Sequence, residues 1–291
     1  MILTAIAKRN AEKRAQASGA QLGPMPENPI VLCHGLFGFD TLFGFVNYWK
    51  EVPEALEAAG AEVFVARVPA TSATETRAAE LRKQIDKKYP GRSVHLIGHS
   101  MGGLDCRCLV THMMKGAKFK VLSVSTIATP HRGSAAADVL MSTPITKLPH
   151  FQSFLNLFPV GDGDGQAFAS LSSDNTRTFN ATTPDVEGVR YLSWGCSFVP
   201  GILDSVFWGA PFAAVQLKDG SNDGVVSVAS AKWGEYLGTI EGVNHTEIIG
   251  HKVTHTRPTD ILNLVGGNVF DHKQFYLKHA RLLASDVEKQ G

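Results

Sequence analysis

The sequence predicts an α/β protein with a mostly parallel central sheet and helices on both faces, and three observations support this. From residue 28 to residue 128, short apolar runs rich in β-branched residues alternate with segments of helical periodicity. One run, residues 94–97, leads straight into the pattern Gly98-x-Ser100-x-Gly102 and then into helical spacing. The chain has 291 residues, 44% of them hydrophobic, enough to bury one large core. A single domain over residues 1–291 is therefore expected.

Taken in order, residues 28–33 read as a buried strand that enters His34-Gly35-Leu36-Phe37-Gly38, and residues 61–68 as a second strand. Ser72, three residues before Glu75, suggests a capping box for a surface helix over 74–89, stopped by Pro90-Gly91. Residues 93–97 form the central strand, 101–114 the helix behind it, and 120–128 the next strand. Between about residues 134 and 187 the rhythm is lost to apolar patches and Gly/Asp/Asn/Thr-rich connections, which predicts an inserted helical lid or cap. Phe151, Phe154, Leu155 and Phe158 fall at i, i+3, i+4 and i+7 before Pro159, forming the face of either a core helix or a mobile cover. Strands resume at 190–198, with 224–229 and 236–240 as further short strands. Apolar residues within 148–158 and 198–212 are either ordinary core or the lining of a groove.

Composition excludes several classes of function. With 28 basic and 27 acidic residues the net charge is +1, so no global field attracts nucleic acid or an anionic membrane. No uncharged apolar run approaches the ~20 residues that cross a bilayer. Cys33, Cys106, Cys108 and Cys196 lie in apolar segments without metal-ligand or disulfide-framework spacing, as expected of buried reduced thiols. Residues 1–7 are only mildly apolar, and Lys8, Arg9, Lys13 and Arg14 follow. This is not a secretory pattern, and an intracellular location, cytoplasmic or organellar, is expected.

The chemistry centres on Ser100. Glycines at 98 and 102 allow a sharp strand-to-helix turn that lifts the hydroxyl above the sheet, the arrangement called a nucleophile elbow. A serine needs a positioned base, and the base needs an acid that holds its tautomer. Behind such an elbow the acid and then the base follow in the chain. Asp223, in the polar turn before Val225-Val226, is the best acid, and His245, in Asn244-His245-Thr246, the best base. Asp219 or Asp204, and His251 or His255, remain alternatives, whereas His34, His95, His99, His131 and His150 precede the acid and fit poorly. Two main-chain amides must face the oxyanion, one after the nucleophile and one after an early strand, which selects Met101 and Leu36. His34 reads as a structural hydrogen-bonder rather than a catalyst.

With these residues assembled, the chain resembles the bacterial true lipases of lipase family I and, more closely, their fungal intracellular triacylglycerol lipase relatives. Residues 31–40, 98–104, 128–134, 222–227 and the pair Asn244-His245 carry the resemblance, as does the spacing of 22 residues between Asp223 and His245. It implies an α/β-hydrolase fold and a serine carboxylester hydrolase acting on lipid esters through an acyl-enzyme. Ser100, Asp223 and His245 would form the triad, with Leu36 and Met101 as oxyanion donors. Phospholipase, thioesterase and acyltransferase chemistry would use the same triad. A non-catalytic receptor or binding module would be marked by loss of a triad residue, and all three are present. The implied partners are a lipid ester and, transiently, a lipid surface, with no nucleic acid and with oligomeric state open. Bacterial relatives hold a structural calcium through an aspartate two residues after the histidine, where this chain has Glu247 followed by His251. With no clear partner acid upstream, a site free of metal and cofactor is expected, calcium near Glu247 being the alternative.

Overall fold

Six strands, all parallel, form the sheet: β1 (Ile30–Cys33), β2 (Val63–Ala66), β3 (Ser93–His99), β4 (Lys120–Ile127), β5 (Arg190–Ser197) and β6 (Glu235–Glu241), in the order β2-β1-β3-β4-β5-β6. The computed structural model describes residues 23–36, 47–142, 163, 166–201, 204–252 and 270–289. Helices α1 (Val52–Ala58), α2 (Thr74–Lys88), α3 (Met101–His112), α4 (Ala135–Ser142), α5 (Ala167–Ser170), α6 (Ser173–Thr182), α7 (Asp204–Asp219), α8 (Val228–Ala231) and α9 (His272–Leu282) lie among these strands in the chain.

Side chains alternate across a strand, so one four-residue strand feeds two cores. Ile30 and Leu32 of β1 pack with Trp49, Leu56, Ile97 and Tyr276 on the face covered by α1 and α9. Val31 and Cys33 pack with Leu81, Ile85, Leu96 and Leu109 on the face covered by α2 and α3. A parallel sheet covered on both faces needs nearly continuous apolar strands, which is why every residue of β1 is buried. From β1 the chain passes to β2 on one side and then to β3 on the other, so the winding reverses between β1 and β3. Such reversals open a crevice beyond the carboxyl ends of the strands. The register pairs Cys33 with Gly98, placing the loop after β1 against the turn after β3.

Two local readings need correction. The Ser72–Glu75 capping box does not form, because α2 starts at Thr74 behind Ala73, which provides no side-chain cap. That start is one residue later than the box requires. Residues 224–229 form no strand. Gly224 donates to Asn222 Oδ1 (2.9 Å), while Val225 and Val226 donate to Asp223 Oδ1 (3.1 and 2.8 Å). Short polar side chains have captured the amides a ladder would use, and Ser227 then caps α8. Within 134–187 the described elements are α4, α5 and α6. The apolar face Phe151, Phe154, Leu155 and Phe158 lies outside the described residues. All four cysteines are free and buried, and no helix among the described residues is long and apolar enough to cross a membrane.

Several imidazoles are buried, and burial holds them neutral. His34 is lowered to about 3 by burial and the Arg77 charge, and His279 to about 4 by burial and His95. His95, His99 and His131 shift the same way, first by burial. Below pH 6.5 the unfolded chain protonates these rings while the native state does not, so stability must fall with pH. The loss begins near 6.5 and extends toward the lowered native values, at about 1.4 kcal/mol per pH unit for each ring fully in that window. Urea midpoints measured from pH 7 to pH 4 are expected to decline steadily, and a flat profile would mean that the rings are charged in the native state.

Candidate active site

β3 ends at His99, and Ser100 adopts φ 55° and ψ −129°, left-handed backbone that L-residues avoid. Three contacts hold it there. The Ser100 amide donates to the Ile127 carbonyl at the end of β4 (2.9 Å), Thr129 Oγ1 donates to the Ser100 carbonyl (2.8 Å), and the Gly103 amide donates to that same carbonyl (3.1 Å). The turn also needs bare Cα atoms. A Cβ on Gly98 would stand 2.5 Å from the Gly103 nitrogen, and one on Gly102 would overlap the Cys33 carbonyl.

His245 lies in the loop after β6, 22 residues beyond Asp223 and 145 beyond Ser100. The sheet nevertheless brings the three into one line. His245 Nδ1 lies 2.7 Å from Asp223 Oδ2, and His245 Nε2 lies 2.9 Å from Ser100 Oγ. An ionised carboxylate only accepts, so Nδ1 carries the ring proton and the bare Nε2 accepts from the Ser100 hydroxyl. Asp223 is fully buried, its other oxygen is held by the Val225 and Val226 amides, and its carbonyl accepts from the His245 amide (2.9 Å). Both partners are thereby fixed through backbone as well as side chain. Asp204 is spent on the Gly201 amide (3.1 Å), and His251 donates through Nε2 to the Asn47 and Tyr48 carbonyls. Asp219 ends α7 exposed, and His255 and His150 lie outside the described residues.

The expected oxyanion donors flank Ser100. Met101 opens α3, where the first amides have no intrahelical acceptor. Leu36 follows Gly35, and a Cβ on Gly35 would stand 2.7 Å from Ser100 Cβ. The Gly35 carbonyl accepts from His34 Nδ1 (2.9 Å) and Arg77 Nη2 (3.2 Å). No peptide bond among the described residues is cis, and in a trans peptide the N–H points opposite the C=O. The Leu36 amide therefore points away from Arg77, and among the described residues neither it nor the Met101 amide has an acceptor. His34 also accepts from the Val68 amide through Nε2 (3.1 Å), the structural role expected of it.

Glu247 turns inward on its own loop. Its Oε2 accepts from the Asn244 amide (3.0 Å), while Asn244 Oδ1 accepts from the Glu247 amide (3.0 Å) and from Thr246. This reciprocal cap of the short helix Glu247–Ile249 braces the segment carrying His245. Calcium takes six to eight oxygens, and among the described residues no group of three or more His, Cys, Asp or Glu could hold a metal. Among the described residues the Glu247 carboxylate is already engaged by its own loop.

Residues 28–180, just over half the chain, match the sequence model of a family described as alpha/beta hydrolase fold. The chain belongs to the α/β-hydrolase family. A triacylglycerol lipase 2 of Saccharomyces cerevisiae is 31% identical, over 91% of this chain and 93% of that protein. A triacylglycerol lipase of Vibrio cholerae is 30% identical, over 80% and 84%. The crystal structure of Staphylococcus hyicus lipase superposes with a TM-score of 0.68 at 21% identity, covering 92% of this chain and 98% of that one. That likeness is one of fold.

In this α/β hydrolase, sequence reasoning missed the clamp beneath the Leu36 loop. Arg77 is fully buried and donates to the carbonyls of His34 (2.7 Å), Gly35, Pro69 (3.0 Å) and Ala70 (3.3 Å), while its Nε pairs with Asp105 (2.8 Å). Burial raises the Asp105 carboxyl to about 7, with the Arg77 charge opposing part of that rise. The signal was present, since Arg77 shares the four-residue spacing of Leu81 and Ile85 on the inward stripe of α2. Replacing Gly102 with Ala forces backbone apart at the elbow. Gly102→Ala is expected to cost about 2–3 kcal/mol in urea unfolding, whereas an alanine at exposed Gly23, where a Cβ meets nothing and φ is not positive, marks the scale of a plain glycine effect.

Proposed function

We propose that this α/β hydrolase is a serine carboxylester hydrolase that cleaves lipid esters of the triacylglycerol type through an acyl-enzyme. The observation that carries this reading is the continuous hydrogen-bond chain from Ser100 Oγ through His245 to buried Asp223, at 2.9 and 2.7 Å. Ser100 Oγ attacks the acyl carbonyl while His245 Nε2 takes its proton, and Asp223 stabilises the imidazolium that results. The amides of Leu36 and Met101 receive the charge on the carbonyl oxygen as the tetrahedral intermediate forms. His245 returns the proton to the departing alkoxide. Water then attacks the acyl-enzyme with the same base, and the free acid leaves.

An apolar substrate is supported by the walls around these amides. Leu36 and Met101 pack with Leu104, Ala137, Ala167 and Leu171, and α4 presents Val139 and Met141 to solvent at 46% and 52% exposure. This supports α4 as part of a cover over the cleft that meets a lipid surface. The names of the relatives point to triacylglycerol as the ester. We take the reaction to need no metal, because the Glu247 carboxylate already braces its own loop. An intracellular location is supported by four buried, unpaired thiols.

Ser100→Ala is expected to lower hydrolysis of a nitrophenyl ester by about 10⁴-fold or more and to abolish labelling by a fluorophosphonate. Ordinary turnover by this variant would refute the assignment. Arg77→Lys keeps one charge but not the fork that holds two loop carbonyls, so kcat is expected to fall about 10-fold or more with KM little changed. Dialysis against a calcium chelator is expected to leave the rate unchanged, and loss restored by added calcium would contradict the metal-free site. A panel of triglyceride, phospholipid and thioester substrates tests the ester class, with preference for the triglyceride expected.

A further inference from the structure

The oxyanion loop is held from two sides, by its carbonyls through Arg77 and by the Gly35 amide through a second buried chain. The Gly35 amide donates to Tyr48 Oη (2.8 Å), and Tyr48 Oη lies 2.6 Å from His99 Nδ1. The His99 ring packs against that of His245, centroids 4.7 Å apart at 41°. We propose, building on the ester hydrolase reading, that Tyr48 and His99 are a positioning pair that ties the oxyanion loop to the imidazole of the base.

The Gly35 amide fixes the first bond of this chain. A backbone N–H only donates, so the Tyr48 oxygen must accept from Gly35. On this proposal its O–H goes to a bare His99 Nδ1, and the neutral ring carries its proton on Nε2. Nε2 faces the His245 backbone without reaching hydrogen-bond geometry. A cationic His99 would put a proton on Nδ1 and displace the Tyr48 donor. Burial opposes that cation, as do the neighbouring His245 and His251. Trp49 packs edge-on against the His99 ring, and Tyr276 packs edge-on against Trp49. The imidazolium formed on His245 during turnover thus packs against a neutral ring.

The segment bearing Tyr48 is itself anchored to the segment bearing His245. His251, six residues after the base, donates to the carbonyls of Asn47 (3.0 Å) and Tyr48 (3.1 Å), and His272 donates to that of Lys50 (2.8 Å). Tyr48 is buried, and neither Tyr48 nor His99 reaches the reacting atoms. Both act through what they hold: Tyr48 through the Gly35 amide, one residue before Leu36, and His99 through the ring of His245.

The test compares Tyr48→Phe, His99→Asn, His99→Leu and Tyr48→Phe/His99→Leu, all in the full chain, with nitrophenyl butyrate and with ¹⁵N spectra of the histidine rings. Tyr48→Phe is expected to lower kcat by about 10- to 100-fold with KM within about twofold, as misaiming of one oxyanion donor does. His99→Asn places an acceptor where Nδ1 stood and is expected to recover most of the activity that His99→Leu loses. The double variant is expected to be no worse than the poorer single one, as for residues acting as a unit. Wild-type spectra are expected to show His99 as the Nε2–H tautomer, and Tyr48→Phe to shift that signal.

A Tyr48→Phe enzyme within twofold of wild type, a loss confined to KM, or an additive double variant would overturn the pair. An Nδ1–H tautomer at His99 would do the same. Should Tyr48→Phe fail to fold, the contrast between His99→Asn and His99→Leu and the wild-type tautomer decide alone. If wild type neither hydrolyses esters nor takes a fluorophosphonate at Ser100, the ester hydrolase reading fails, while the ring spectra still report on Tyr48 and His99.

Discussion

One unfavourable backbone conformation underlies the whole site. Ser100 stands at φ 55°, a placement that costs roughly 1–3 kcal/mol in a residue with a Cβ. It persists because neighbours on both sides overdetermine it. The end of β4 receives the serine amide, Thr129 takes its carbonyl, and two glycines let α3 pass within backbone contact of β3 and β1. The same geometry aims the hydroxyl out of the sheet and leaves the Met101 amide without a helical acceptor. In the proposed reaction a nucleophile and half of an oxyanion hole thus come from one turn.

The other polar elements share a principle, which is that main chain is fixed by buried groups able to bond in only one sense. The Leu36 amide is aimed indirectly, through the carbonyl on the far side of its own peptide. Arg77 suits that task because a guanidinium offers several donors in a rigid fork and no acceptor. Asp223 is set by two amides before it meets His245, and the loop carrying His245 is braced by the reciprocal Asn244 and Glu247 cap. Little is left to side-chain rotation. Such preorganisation is what an electrostatic site requires, since dipoles already in place need no reorganisation when charge develops.

Much of this was legible in the chain itself. The strand cores were marked by apolar runs, the elbow by its two glycines, and His34 by its place before Gly35. The misreadings were local contests. Residues 224–229 have the composition of a strand, yet Asn222 and Asp223 take the amides first, so a turn and a short capped helix form instead. The Ser72 cap failed by one residue of register at α2. Arg77 went unread because helical periodicity gives direction and not depth, and a basic residue on an inward stripe is outvoted by its apolar neighbours.

The sequence by itself determined the alternation of elements, the strained turn at Ser100 and a short set of acids and bases able to serve it, because each depends on residues close together in the chain. Only the tertiary structure set His245 rather than His251 beside Ser100, folded Glu247 back onto Asn244, and brought Arg77, Tyr48 and His99 under the oxyanion loop. Those choices join residues as far apart as 145 positions, for Ser100 and His245, and 204, for Asn47 and His251. They depend on which strand ends lie side by side, and a parallel sheet settles that through its winding order and register, which no local pattern encodes.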